Sequence, residues 1–227
     1  MRTRRPAGES AEMYLKSLLE LGGDKRHVPI ATLAQRLGVS PISATERVHR
    51  LQDEGQLDHR PYQGVRLTRQ GEATALRVVR RHRLWECFLH ERLGLSWERT
   101  HALACQLEHA VGDEVTDALA AHLGEPAACP HGNPIPGARH DGSQAEGIPL
   151  ANLEPGQRAI LLRIEPETPD VLATLADVGM RTGVALEREA GAPTGQVRLR
   201  VAGRPVRLPI ETTRHVTVAV QDSDVPA

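Results

Sequence analysis

Apolar residues recur at helical spacing through the first half of the chain and alternate with polar ones through its last third. Met13, Leu15, Leu18, Leu19 and Leu21 predict a helix over 10–21, with Ser10 as N-cap and Gly22-Gly23 as its stop. Residues 30–37, the turn Gly38-Val39-Ser40-Pro41 and residues 42–54 form a helix-turn-helix pattern. Leu33, Ala34 and Leu37 bury one helix, Ser40 caps the next, and Val48 and Leu51 face inward. Ser43, Glu46, Arg47 and Arg50 are then left facing out. Short runs at 56–58 and 65–67 flank Pro61-Tyr62-Gln63-Gly64 and predict a two-stranded wing.

A long helix is predicted over 69–93, with Leu76, Val79, Leu84, Phe88 and Leu89 as its apolar side. Two more follow, 96–111 capped by Ser96 and 113–123 capped by Asp113. Pro and Gly then crowd residues 125–149, which predicts a mobile linker. Beyond it the period changes to that of strands, at 159–164, 184–189, 196–201, 206–208 and 216–220, with one helix at 170–178 ended by Gly179. The expected class is α+β and multidomain: a winged helix-turn-helix over 1–70, a helical domain over 71–137, a linker over 138–147 and a small β-barrel over 148–227.

Composition narrows the function classes. The chain has 227 residues, 40% of them hydrophobic and 25% charged, which disfavours wholesale disorder. No apolar run approaches the roughly 20 residues needed to cross a bilayer. No apolar segment follows the basic start, so the expectation is a cytoplasmic protein with no membrane partner. Three cysteines, Cys87, Cys105 and Cys129, with no CxxC, cannot staple a secreted scaffold. The net charge of -1 conceals an asymmetry, because residues 1–70 carry 12 Lys+Arg against 8 Asp+Glu. Only 2% of residues are aromatic, too few for base-stacking platforms, so a reader of duplex DNA is favoured over a single-strand binder.

The chemistry concentrates in the helical domain. His82 and Glu86 stand at i and i+4; His101, Cys105, Glu108 and His109 stand at i, i+4, i+7 and i+8, so each set lines one helix face. Imidazole, carboxylate and thiolate are what a first-row divalent metal takes, and facing helices are a usual place to build such a site. For His82 and Glu86 alone, an exposed ion pair is the plainer reading. The four-residue stripe makes a poor hydrophobic seam and favours ligation. Cys87 reads as core beside Phe88. Cys129 and His131, before Gly132, could bind a stray metal, with loop packing preferred.

The run Glu12-Met13-Tyr14-Leu15, the run His82-Arg83-Leu84-Trp85-Glu86, the spacing from His101 to His109, and Gly132-Asn133-Pro134-Ile135-Pro136 together resemble the diphtheria toxin repressor family of metalloregulators. The resemblance spans nearly the whole chain. It implies a DNA-binding first domain, a second domain that dimerises and binds metal, and an SH3-like (FeoA-like) third domain. It also implies two metal sites per chain: a primary one on Met13, Cys105, Glu108 and His109, with the Cys105 carbonyl as an extra ligand, and an ancillary one on His82, Glu86 and His101. Family members add third-domain ligands to the ancillary metal. Here one expected position holds Val171, which leaves Glu167 or Asp170 to substitute.

The thioether and thiol of Met13 and Cys105 favour Fe(II); Mn(II) stays open, since the ancillary His/Glu set accepts either ion. The resemblance therefore implies a repressor of metal-uptake genes, a homodimer whose metal corepressor sets two recognition helices on a palindromic operator. Ser40, Ser43 and Glu46 are the candidates for base edges, and Arg47, Arg50, Arg60 and Arg66 for phosphates. No small organic substrate is expected. Two rivals are a winged-helix regulator of a non-metal ligand with a structural His/Cys/Glu cluster, and a metallohydrolase using Glu86 or Glu108 as base. The second lacks an HExxH helix or a nucleophile motif.

Overall fold

The structure is a computed structural model that describes residues 7–138 and 146–221, with the backbone alone for 7–10. The expected linker, 138–147, lies outside the described residues except at its two ends. Two compact units result: one is built from the chain up to Arg81 together with Glu108–Gly112, the other from His82–Leu107 and the chain from Asp113 onward.

The first unit contains helices α1 (Ala7–Glu20), α2 (Ile30–Leu37) and α3 (Pro41–Asp53), strands β1 (Leu57–Arg60) and β2 (Gly64–Leu67), and the start of α4 (Arg69–Cys87). Helix α1 begins at Ala7, so Ser10 lies inside it and is not its cap. Gly38 ends α2 at φ 65°, a left-handed conformation that a side chain would strain. Ser40 then caps α3, its hydroxyl oxygen accepting the Ser43 amide at 3.1 Å, with Pro41 in the first turn where no N–H is needed. Leu15, Leu18, Leu33, Val48 and Leu51 bury the inner faces of the three helices, and Leu57, Val65 and Leu67 of the wing close the same core. The wing pairs antiparallel, Leu57 with Leu67 and Arg60 with Gly64; Val28 adds a bridge through paired bonds to Val65 of 2.8 and 2.9 Å. Leu76 is exposed, contrary to expectation. Val79 and Leu84 of the expected apolar side are buried, but the buried positions of α4 also include the polar His82 and Glu86.

In the second unit α4 ends in a π-type turn, Phe88–Arg92, and is followed by α5 (Trp97–Leu107) and α6 (Asp113–His122). Helix α5 stops four residues short of expectation, and Asp113 is the first residue of α6, not a cap outside it. Residues 127–135 are fastened, not loose. The Cys129 amide donates to Asn133 O at 2.9 Å and the Ile135 amide to Ala127 O at 2.8 Å. Gly132, at φ 84°, closes this turn against the chain near Leu162, whose carbonyl oxygen would lie 1.9 Å from any Cβ there.

The carboxy-terminal part is a six-stranded antiparallel sheet. Its strands are β3 (Ile148–Pro149), β4 (Arg158–Ile164), β5 (Ala185–Glu189), β6 (Gln196–Val201), β7 (Arg204–Pro209) and β8 (Val216–Gln221), in the order β3-β8-β4-β5-β6-β7. Helices α7 (Pro169–Asp177) and α8 (Ile210–Thr213) complete it. Alternation supplies one apolar face, with Val197, Leu199 and Val201 buried on β6 and Val216 and Val218 on β8; Leu172, Leu175 and Trp97 pack with them. No helix among the described residues is long and apolar enough to cross a membrane.

Candidate metal centre

Within the second unit, one turn of α4 sets His82 and Glu86 on a common face, with His82 Nε2 3.0 Å from Glu86 Oε1. Helix α5 brings His101, whose Nδ1 lies 3.2 Å from His82 Nε2 and 3.3 Å from Glu86 Oε1. The loop before α7 adds Glu167, with Oε2 3.0 Å from His101 Nδ1 and 3.8 Å from His82 Nε2. The Cys129–Asn133 turn adds His131, whose Nδ1 lies 3.3 Å from Glu86 Oε1 and 3.4 Å from Glu167 Oε2. Cys129 Sγ is 3.8 Å from Glu167 Oε1. Glu86 is fully buried and His82 nearly so, which overturns the reading of that pair as a solvated one.

Supporting bonds orient these groups. His131 donates its Nε2–H to the Trp97 carbonyl at 3.1 Å, which leaves Nδ1 aimed at the two carboxylates. Asn133 donates its side-chain amide both to Ile164 O, at 2.8 Å, and to Glu167 Oε1. The carboxylates and imidazoles shift one another toward their charged forms. Burial and the Glu167 charge push the Glu86 carboxyl up, yet His82, His131 and His101 together hold it well below the usual carboxylate range. Glu167 is likewise buried and likewise depressed, by bonds to His101, His131 and His82. Burial would lower the imidazoles, but hydrogen bonds from His101 to Cys105, Glu167 and Glu86 raise it to about 11, and Glu86 and Glu167 raise His131 to about 9. Burial and the same carboxylates push the Cys129 thiol well up. Convergent imidazole, carboxylate and thiol donors, with a buried carboxylate oxygen, Glu86 Oε2, that has no hydrogen-bond partner among the described residues, fit a first-row divalent ion.

The four residues expected at the primary site divide. Met13 is half-buried on α1, and Glu108 and His109 stand in the turn after α5; all three belong to the first unit, and Cys105 to the second. Because α5 ends at Leu107, the expected single stripe is broken. Cys105 Sγ lies 3.8 Å from His101 Nε2 and 4.0 Å from His82 Nδ1, beside the ancillary histidines. In the first unit Lys16 donates to Glu108 Oε2 at 2.6 Å, both groups being buried. His109 Nδ1 is 2.6 Å from Glu12 Oε2, and Arg81 donates to Glu12 Oε1 at 2.5 Å. Burial notwithstanding, Glu108 and Glu12 raise His109 to about 9. Asp170 is exposed on the first turn of α7 and lies in none of the donor groups. Cys87 is core, with its thiol near the Ala128 carbonyl at 3.6 Å.

On α3, Ser40, Ser43, Glu46 and Arg50 are exposed, whereas Arg47 is half-buried near Tyr14. Ser40 Oγ also donates to Ser43 Oγ at 2.9 Å. Arg60 pairs with Asp58 at 3.3 Å, and Arg66 donates to the Asp24 carbonyl at 3.0 Å. Ile42 is 74% exposed in the first turn of α3, an apolar side chain left out of the core beside Ser43. Sequence reasoning missed Glu12, Lys16 and Arg81 as parts of the first cluster, and Cys129 and His131, read from sequence as loop packing ahead of metal binding, lie among the donors of the second. The Cys-x-His spacing was the only local signal for any of them.

Family models describe three parts of the chain: the iron-dependent repressor N-terminal DNA-binding domain matches residues 7–65, the iron-dependent repressor metal-binding and dimerisation domain 68–137, and the FeoA domain 148–220. The iron-dependent repressor IdeR of Mycobacterium leprae is 32% identical over 223 residues, covering 92% of this chain and 96% of that one. The diphtheria toxin repressor of Corynebacterium jeikeium is 38% identical over 141 residues, covering 62% and 58%. A solved manganese-dependent transcriptional repressor in complex with manganese superposes with TM-score 0.82 at 32% identity, covering 93% of this chain and all of the other. A winged helix-turn-helix in one chain with a buried His/Glu/Cys cluster defines a metal-dependent DNA-binding repressor, and not an enzyme. The chain belongs to the diphtheria toxin repressor family.

Proposed function

We propose that this repressor acts in the cytoplasm as a homodimer on a palindromic operator of metal-uptake genes, with Fe(II) or Mn(II) as corepressor. The observation that carries the metal reading is the meeting of His82, Glu86, His101, His131 and Glu167 in a buried cluster. His82, Glu86, His101 and Glu167 form the ancillary site, with Asp170 left outside it. Met13, Cys105, Glu108 and His109 form the primary site, and the thioether and thiol among them favour Fe(II) over Mn(II). The resemblance in ligand positions and the pairing of α1 with residues 108 and 109 through Lys16 and Glu12 support that assignment. The ion, when bound, supplies positive charge and directional bonds that Lys16 alone cannot. Ser40, Ser43, Glu46 and Ile42 meet base edges; Arg47, Arg50, Arg60 and Arg66 meet phosphates, with Arg66 leaving the Asp24 carbonyl to do so. The proposed domains are the winged helix-turn-helix over 1–70, the helical domain over 71–137 and the β domain over 148–227.

The test is DNA binding by fluorescence anisotropy on promoter fragments of metal-uptake operons, under anaerobic Fe(II), under Mn(II), under Zn(II) and in chelator. Tight binding in Fe(II) or Mn(II), lost in chelator, is expected. Equal binding in every condition would overturn the reading.

A further inference from the structure

The second unit offers more donors than one ion can use: His82 and His101 meet Cys105 in one group of three, and two groups of four overlap at their carboxylates. His82, Glu86, His101 and Glu167 present four ligand atoms within 4.8 Å of one another, and so do Glu86, Cys129, His131 and Glu167. A single ion with bonds of about 2.0–2.3 Å needs all its donors inside roughly that span. The six residues do not make one such group; they make two that share both carboxylates. We propose that this cluster binds two divalent ions side by side, His82 and His101 completing one position and Cys129 and His131 the other, with Glu86 and Glu167 bridging. The inference rests on the metal-dependent reading above and deepens it.

Each bridging carboxylate has its two oxygens in different surroundings. Glu86 Oε1 faces His82, His101 and His131 at 3.0–3.3 Å, while Oε2 is buried with no hydrogen-bond partner among the described residues. A buried carboxylate oxygen without such a bond is costly, and a second cation held beside Cys129 would offset that cost. Glu167 Oε2 faces the histidines, and its Oε1 faces Cys129 Sγ at 3.8 Å and the Asn133 amide. The bond from His131 to the Trp97 carbonyl and the close seat of Gly132 hold the second pair of donors in place. Ligation by Cys129 forms a metal–sulfur bond and releases the thiol proton to solvent. A position with thiolate and imidazole is the softer of the two and takes Fe(II) or Zn(II) ahead of Mn(II), whereas the His82/His101 position accepts either.

The test uses the full chain, free of DNA, loaded anaerobically with Mn(II) or Zn(II). Metal content by elemental analysis and native mass spectrometry is expected to reach three ions per chain: two in this cluster and one at the primary site. His131→Ala and His82→Ala are each expected to lose one ion, and the double variant two. Electron paramagnetic resonance of the Mn(II)-saturated wild type should show an exchange-coupled pair that His131→Ala converts to an uncoupled signal. Because that measurement needs no variant, poor folding of His131→Ala leaves it intact. Two ions per chain with no coupling, or loss of the same single ion in both single variants and in the double, overturns the proposal. Metal counts are read without DNA, so absence of metal-stimulated DNA binding would refute the functional reading and not this one.

Discussion

The two donor sets handle buried negative charge in opposite ways. In the first unit Glu108 and Glu12 already have cations built into the chain: Lys16 lies 2.6 Å from Glu108, and Arg81 and His109 lie 2.5 and 2.6 Å from Glu12. Among the described residues of the second unit, the ion pairs of Glu86 and Glu167 are with imidazoles, and Glu86 Oε2 has no hydrogen-bond partner. An ammonium cannot be neutralised cheaply near pH 7, whereas an imidazole can give up its proton and turn a lone pair to a metal. The carboxylates of the first set therefore have built-in cations before any ion arrives, although His109 Nε2 is buried without a hydrogen-bond partner among the described residues, and an ion that takes Glu108 Oε2 competes with Lys16. The second set is satisfied only by protons that an ion replaces.

Glu86→Gln should have the largest effect. It removes the carboxylate that both donor groups share and leaves three imidazoles around a neutral amide. Loss of one member of a buried charged network costs about 3–5 kcal/mol, to be read by urea unfolding in chelator. Affinity of the cluster for Mn(II), read by calorimetry, should fall more than about 100-fold, since even supporting residues around a metal are worth roughly 10–100-fold. Added metal should not restore stability. Lys16→Gln should cost about 3 kcal/mol in chelator for the same reason, because Glu108 stays buried without its ammonium. Here Mn(II) or Fe(II) should restore the loss, and affinity at the primary site should rise by roughly tenfold. Equal rescue of both variants would erase the distinction between the sets.

How far each set could be read from sequence follows from the range of its contacts. Gly38, Ser40 and the alternation in β6 act within a few residues, so α2, the cap of α3 and the strands were legible. The i, i+4 spacing made the meeting of His82 with Glu86 legible, but not its burial, because His82 and Glu86 continue the stripe of Ala75 and Val79 where an apolar residue would be expected. Lys16 and Glu108 are 92 residues apart, and nothing local links them. Nor does any Gly or Pro before Gly112 announce that α5 stops at Leu107; Arg81, donating to the Val111 carbonyl at 3.2 Å, holds the turn that follows. Cys129 and His131 sit in a Pro/Gly-rich stretch whose composition suggested mobility. Their place depends on Gly132 closing against Leu162 O, a contact across 30 positions of chain.

Proton linkage separates the sets by a smaller margin. His101 and His131 of the second unit and His109 of the first are raised above the ordinary imidazole value of 6.5, to about 11, 9 and 9. In chelator their contribution is fully present below pH 6.5 and is lost as pH rises through about 9 for His131 and His109 and through about 11 for His101, because the native state there holds protons that the unfolded state has released. Each such group contributes up to about 1.4 kcal/mol per pH unit. The metal-free melting temperature should therefore fall between pH 6.5 and 9. Saturating Mn(II) should flatten or reverse the trend, since ligation needs the unprotonated imidazoles. His131→Gln should make the metal-free slope shallower than His109→Gln does, because burial is complete at His131. A metal-free melting temperature that is level across this range would contradict the protonated state assigned to these imidazoles.

Arg50→Ala should have the smallest effect and shows whether either set acts on DNA through anything other than metal. Arg50 is exposed on α3 and belongs to neither donor set. Its loss should weaken binding to every sequence alike and lower the salt slope by about one, the signature of a single phosphate contact. The fractional loss should be the same whether the protein is loaded with Mn(II) or with Fe(II), since the arginine meets duplex by charge alone. Lys16→Gln should behave otherwise: a cation that competes with metal changes how much Mn(II) is needed for half-maximal binding and leaves the salt slope at saturating metal unchanged. If Lys16→Gln instead lowered that slope as Arg50→Ala does, Lys16 would be a phosphate contact, and its pairing with Glu108 would have no part in tuning the metal response.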